Sequence, residues 1–190
     1  MCGRYSLFDQ DDNIEIRKII RDVSRKYQTD VKTGEIFPSD RAPVLLAGPS
    51  GIEAEAARWG FKSYKGSRPI INARAETAAQ KNMFKQSLMA RRCAVPTTGF
   101  YEWTKTGEKQ KYIFKLPQQK ALYLAGFYNY IDGERRFVIL TTAANSSVLP
   151  VHDRMPVLFS RRFAERFIYN TEEALWYLHQ QMPMLIKSRC

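Results

Sequence analysis

From residue 93 onward the chain is broken into short runs rich in aromatic and β-branched residues, at 93–96, 99–104, 111–116, 122–130, 136–141 and 155–159. Runs this short are too brief for packed helices, and their side chains suit a pleated, half-buried surface. Thr106-Gly107 and Asp132-Gly133 stand between neighbouring runs as hairpin turns, because these residue types accept the backbone angles that tight reversals demand. A chain that reverses so often pairs its strands antiparallel. The expected fold class is therefore α+β: a single domain over 1–190, built on an antiparallel, β-barrel-like, strongly bent sheet with peripheral helices.

The first half supplies the helices and one more hairpin. Ile16, Ile19, Ile20, Val23 and Tyr27 recur at helical spacing within 9–28, with Asp11 or Asp12 as the expected cap. Arg17, Lys18, Arg21 and Arg25 fall on the other face, which reads as solvated. Residues 29–43 read as a loop. A strand at 44–47, the turn Gly48-Pro49-Ser50-Gly51 and a returning strand through Ile52, Ala54 and Ala56 to Arg58-Trp59-Gly60-Phe61 make a hairpin. A loop at 62–69 leads to an extended segment at 70–77. A helix is then expected over 78–90, with Met83, Phe84 and Leu88 inward, and another runs from an Asn170 or Thr171 cap through Gln180.

Composition narrows the function. The chain has 190 residues, 44% of them hydrophobic, enough for one core. No apolar run approaches the roughly 20 residues that span a bilayer, and the start does not resemble a signal peptide, so a cytoplasmic protein without a membrane partner is expected. Cys2, Cys93 and Cys190 are far apart and odd in number, without CxxC spacing, which argues against a disulfide framework or a zinc site. Cys93 reads as a small buried apolar residue, and no metal or cofactor is expected. Thirty Lys and Arg against nineteen Asp and Glu give a formal charge of +11. Such a surface attracts polyanions, and ten Tyr, eleven Phe and three Trp offer stacking platforms for unpaired bases.

Four places hold residues suited to chemistry. Removal of Met1 makes Cys2 the amino terminus, with an amine of pKa about 7.7–8.0 beside a thiol of about 8.5. A 1,2-aminothiol captures an aldehyde: the amine forms a Schiff base and the thiolate closes a thiazolidine on the same carbon. Asn72 and Arg74 interrupt a small, apolar extended segment, where Asn72 either caps a turn or orients a reacting group. Glu102, between Tyr101 and Trp103, either points to solvent or faces inward, where burial would raise its pKa toward the range useful for proton transfer. His152 precedes Asp153 and Arg154 in a loop and is either structural or an acid–base. His179 suits a helix C-terminus and reads as structural.

The set Met1-Cys2-Gly3-Arg4-Tyr5, Arg58-Trp59-Gly60, Asn72-Ala73-Arg74-Ala75-Glu76-Thr77, Gly99-Phe100-Tyr101-Glu102-Trp103, Thr141-Thr142-Ala143-Ala144-Asn145 and His152-Asp153-Arg154-Met155-Pro156 resembles the SOS response-associated peptidase (SRAP) family, with the motifs in the family's order. The resemblance implies a monomeric SRAP-type domain that binds single-stranded DNA and couples covalently to abasic sites through Cys2, shielding the lesion. It implies that Asn72 holds the α-amine, that Glu102 moves protons, and that His152 assists at the sugar oxygen and adjacent phosphate. Arg4, Arg74 and Arg154 would hold phosphates, Trp59 and Pro38 would wedge or stack at a kinked strand, and Trp103 and Thr141 would line the DNA path. Weak lyase activity by β-elimination, and autoproteolytic removal of Met1, are further implications.

Two departures accompany the resemblance. Where the family has an Asn-x-Ala-Pro segment, this sequence has Glu35-Ile36-Phe37-Pro38, and an acidic group there is expected to repel phosphate. Beyond 184–190, where relatives continue, the sheet edge or DNA-binding rim is expected to differ. Two other readings stay open on residues alone. A Met-Cys-Gly start also suits an amidotransferase-like N-terminal nucleophile hydrolase, and a basic, aromatic domain also suits a non-covalent single-strand binder.

Overall fold

A computed structural model describes residues 2–9, 13–28, 31–63, 66, 68–105, 107–119 and 121–190. The chain opens with β1 (Tyr5–Leu7), α1 (Ile14–Tyr27), β2 (Gly34–Ile36), β3 (Arg41–Gly48) and β4 (Gly51–Trp59). Next come β5 (Asn72–Arg74), α2 (Ala75–Ala78), α3 (Asn82–Ala90), β6 (Arg92–Thr97), β7 (Gly99–Trp103), β8 (Lys111–Lys115), β9 (Leu122–Ile131) and β10 (Glu134–Ala143). The last elements are β11 (Arg154–Pro156), β12 (Leu158–Phe159), α4 (Arg161–Tyr169), α5 (Thr171–Tyr177) and β13 (Ile186–Arg189).

The two hairpins with the strongest turn chemistry build the barrel. Gly48 pairs with Gly51 across Pro49-Ser50 in the β3–β4 hairpin, and Asp132 and Gly133, both at positive φ, turn β9 into β10. Both central angles are positive, the geometry that matches the strands' own twist. β3 then pairs with β6, β6 with β9, and β10 with β4, so five strands close on themselves. Closure removes the exposed edges an open sheet would leave. The closing seam departs from the all-antiparallel expectation, because β10 runs parallel to β4 at Arg136–Phe137 and to β5 at Ile139–Thr141. β5 thus continues the lane that β4 began. Gly126 makes tight closure possible, since a Cβ there would stand 2.7 Å from Val138 O.

Trp59, Phe127, Phe137, Val138 and Ile139 fill the core and are fully buried. Cys93 is also buried, as expected. α1 covers β3 and β4, while α3 and α4 lie on β6 and β9. Asn13 caps α1, its Oδ1 accepting from Ile16 N–H at 3.2 Å; the caps expected at Asp11 and Asp12 lie outside the described residues, as do Met1 and the turn residue Thr106. The helix expected over 78–90 is instead two, α2 and α3, and Met83 is exposed while Phe84 and Leu88 are buried. Asn170 caps α5 by accepting from Glu173 N–H.

A second, antiparallel sheet in the order β13-β8-β7-β1-β2 lies beside the barrel. Its outer strand β13 pairs with β8, a pairing for which residues 186–189 carry no strand pattern. The first strand is fixed by buried hydroxyls. Ser6 Oγ donates to Gly99 O (3.0 Å), Thr98 Oγ1 donates to Ser6 Oγ (2.8 Å), and Thr98 N–H donates to Ser6 O (2.9 Å). Buried polar groups that are mutually satisfied specify one arrangement. Here they fix the start of the chain against the β6–β7 corner.

Candidate functional site

β1 carries residues 2–4 to the junction of the two sheets. Tyr5 pairs with Phe100, and Tyr101 N–H donates to Arg4 O at 2.9 Å. The same register brings Gly3, which has no side chain, level with Glu102. On β7, Glu102 shares its face with the fully buried Phe100 and is itself only 4% exposed, so of the two orientations open to it the inward one holds. Burial pushes its pKa up to about 7, with the Asp153 charge adding to the rise and Lys105 opposing it. A carboxyl poised there holds and releases a proton near neutral pH.

Cys2 is fully buried. Burial first, and the Glu102 charge second, push its thiol well above the ordinary range, so it is held protonated. Asn72, at the start of β5, donates from Nδ2 to Cys2 O at 2.8 Å. Its Oδ1 is buried and accepts no hydrogen bond among the described residues. Asn72 therefore orients the Cys2 peptide group through its carbonyl, and the oxygen that an amine would need remains unused.

His152 lies beside Glu102, with Nε2 4.0 Å from Glu102 Oε2. Its Nδ1 accepts from Arg154 N–H at 3.0 Å. A backbone N–H can only donate, so the neutral ring carries its proton on Nε2, toward Glu102. Burial lowers the His152 pKa and Lys105 lowers it further, which favours that neutral form. Asp153 Oδ1 also lies 3.0 Å from Nδ1, but it pairs with Lys105 Nζ at 2.7 Å. Cys2, Asn72, Glu102 and His152 thus converge from β1, β5, β7 and the loop before β11.

The DNA-contact candidates divide. The Arg4 guanidinium lies 4.0 Å from the Phe37 ring centroid and 4.9 Å from that of Trp103. Glu35 accepts from Arg4 Nη1 at 3.0 Å and also pairs with Lys111. Pro38 and Ser39 form the adjoining turn, which Asp40 closes by accepting from Phe37 N–H at 2.7 Å. Arg74 is exposed. Arg154 is gripped by Glu76 at 2.6 and 2.9 Å and by Thr141 O at 2.6 Å.

Two candidates lie in the core. Trp59 is fully buried, stacks on Phe137 and donates from Nε1 to Ile71 O at 3.0 Å, so its side chain is part of the barrel core. Thr141 is fully buried as well, and its part is to hold Arg154. Lys111 and Phe37 are not among the candidates that the sequence offers. Lys111 meets Glu35 through its pairing with Trp103 across β7 and β8, a neighbourhood with no local signal, whereas an exposed aromatic beside Pro38 could have been flagged.

The family model described as SOS response associated peptidase (SRAP) matches residues 1–188. The chain belongs to the SRAP family. Among its relatives, the abasic site processing protein YoqW of Bacillus subtilis (strain 168) is 31% identical over 172 residues, covering 84% of this chain and 76% of that protein. The abasic site processing protein YedK of Escherichia coli (strain K12) is 25% identical over 178 residues, covering 88% and 79%. A solved protein from Bacteroides thetaiotaomicron superposes with a TM-score of 0.77 at 22% identity, covering 99% of this chain and 91% of that one. A phage-related protein from Bordetella bronchiseptica gives 0.75 at 22% identity, covering 100% and 94%. These likenesses establish that the barrel with its flanking sheet is the SRAP fold. Of the SRAP motifs quoted from the sequence, those that hold Cys2, Asn72, Glu102 and His152 meet at the sheet junction.

Proposed function

We propose that this chain processes abasic sites in single-stranded DNA by covalent capture at Cys2. The observation that carries the reading is the convergence on Cys2: Asn72 grips its carbonyl at 2.8 Å, and Glu102, poised near pH 7, is close enough for its charge to act on the thiol. The relatives named abasic site processing proteins point to the same substrate. An abasic deoxyribose opens to an aldehyde, the partner that an aminothiol selects.

The steps follow from proton positions. As the sugar opens, protonated Glu102 gives its proton to the ring oxygen and takes one back from the C1 hydroxyl, while His152, neutral with its proton on Nε2, donates a hydrogen bond to that oxygen and keeps its proton. The Cys2 amine, free once Met1 has been removed by the chain itself or by an aminopeptidase, attacks the aldehyde carbon. Glu102 protonates the departing hydroxyl, and one water leaves with formation of the iminium. Glu102, now a carboxylate, takes the thiol proton, and sulfur closes on the same carbon to give the thiazolidine. The reverse sequence releases the DNA. Loss of a proton from the carbon beside the iminium, followed by departure of the 3′ phosphate, is the route to weak lyase activity. Arg4 and Arg74 hold phosphates, while Phe37, Pro38 and Trp103 offer surfaces to flanking bases.

The test is an abasic single-stranded oligonucleotide mixed with protein whose mass confirms a Cys2 start, then denaturing electrophoresis and intact mass. We expect a denaturation-resistant adduct that weighs one water less than the sum of its parts and is absent from Cys2→Ala. If Cys2→Ala forms the same adduct, the nucleophile is misassigned. No adduct, with the DNA still bound, would favour the non-covalent reading that the Arg4, Phe37 and Trp103 cluster also supports.

A further inference from the structure

We propose that Glu35 is a built-in competitor for nucleic-acid phosphate, holding Arg4 and Lys111 in an internal ion-pair latch that a DNA strand must displace. The inference rests on the single-stranded DNA reading above and concerns how that same site is regulated. Glu35 accepts from Arg4 Nη1 at 3.0 Å through one carboxylate oxygen and pairs with Lys111 through the other. Burial alone would raise its pKa, but Lys111 and Arg4 outweigh burial and hold it below the ordinary carboxylate range. The carboxylate is therefore charged at neutral pH, and its two oxygens sit where two oxygens of a phosphate would be held.

The setting is arranged for exchange. Arg4 and Glu35 side chains are 28% and 29% exposed, so an incoming anion can reach the pair from solvent. The Arg4 guanidinium rests against the Phe37 and Trp103 rings. Lys111 likewise sits 4.2 Å from the Tyr101 ring centroid. The aromatic faces hold the cations, and only the counter-ion is exchangeable. With Glu35 present the trio carries a net charge of +1. Without it the two cations carry +2, one further charge for the backbone of a single strand, whose salt dependence steepens by roughly 0.7 in log–log slope per phosphate neutralised.

The experiment measures equilibrium binding of an undamaged, fluorescein-labelled single-stranded oligonucleotide by anisotropy across a salt series. It compares wild type, Glu35→Gln and Glu35→Asp. An undamaged strand separates this test from covalent chemistry at Cys2. The latch predicts that Glu35→Gln binds about tenfold tighter at low salt with a slope steeper by about 0.7, while Glu35→Asp stays within about threefold of wild type. In an Arg4→Gln, Lys111→Gln background the gain from Glu35→Gln must disappear. Weaker or unchanged binding by folded Glu35→Gln, judged by an unaltered circular dichroism spectrum, overturns the latch while leaving the DNA reading intact. Binding by neither protein sinks the DNA reading and the latch with it.

Discussion

Replacing Glu102 by Gln should stabilise the fold while slowing the chemistry. The carboxyl is 4% exposed, and its pKa rises from the ordinary 4.5 to about 7. The raised value means that the folded state holds the proton more tightly than the unfolded chain. Below pH 4.5 both states are protonated and nothing is lost. Between 4.5 and 7 the unfolded chain ionises while the native carboxyl does not, so stability falls as pH rises, and above 7 the full cost is present. At about 1.4 kcal/mol for each pH unit that cost is on the order of 3 kcal/mol. The amide cannot ionise and escapes it. With about 2–4 °C of Tm for each kcal/mol in a domain of this size, Glu102→Gln should melt about 6–12 °C above wild type at pH 8 and coincide with it near pH 4.5. His152, whose pKa is lowered by burial, adds its own cost only on the acid side of 6.5, in both proteins. Scanning calorimetry from pH 4.5 to 8.5 measures the difference, and single-turnover adduct formation in the same variant should fall by about 10²- to 10⁴-fold. A Tm difference that does not vary with pH, or a variant less stable at pH 8, would refute the claim that burial sets this carboxyl's pKa.

Asn72→Ala removes the donor to Cys2 O at 2.8 Å. It should slow single-turnover adduct formation by about 10- to 100-fold through misplacement of the nucleophile while costing only about 1 kcal/mol of stability; an unchanged rate would show that the contact does not orient Cys2. Arg92 is 5% exposed, and its guanidinium donates to the carbonyls of Leu88, Met89, Phe167 and Ile168, tying α3 to α4. Arg92→Leu leaves those acceptors unmet, so a loss of about 3–5 kcal/mol and a Tm lower by about 10 °C are expected by calorimetry, whereas a drop under about 3 °C would mean the carbonyls find other donors.

The elements that could be read from sequence are those written by local chemistry. Asp132-Gly133 specifies its turn by φ alone, and α1 shows its buried Ile16, Ile19, Ile20 and Val23 as a 3.6-residue period. The parallel seam of β10 with β4 and β5 joins residues 78 and 67 apart and leaves no local trace. Met155 to Phe159 reads as one strand, yet Pro156 ends β11 on β10 and the chain resumes as β12 on β9. Trp59 illustrates the limit for single residues. A Trp between Arg58 and Gly60 suits a stacking platform or a core equally, and only the packing of Tyr5 and Phe137 around it decides. Glu35 is the converse case: repulsion of phosphate follows from its charge, but its partners are Arg4, just before β1, and Lys111 on β8.

Strand alternation accounts for how one short strand serves both halves of the site. On β7, Phe100 and Glu102 face the buried junction, while Tyr101 and Trp103 face the side where Arg4 and Lys111 lie. A slip of one residue would exchange the two sets, putting the carboxyl among the cations and an aromatic ring against Cys2. Glu102 would then be paired and acidic, useless for proton transfer near neutral pH. The register of β1 against β7 must therefore be held tightly. Ser6, Thr97 and Thr98 meet that need, with Thr97 Oγ1 2.6 Å from Ser6 O and Thr98 Oγ1 2.8 Å from Ser6 Oγ. The buried hydroxyls at the β6–β7 corner, remote from the reacting atoms, keep the pKa of Glu102 and the cation platform on their separate faces.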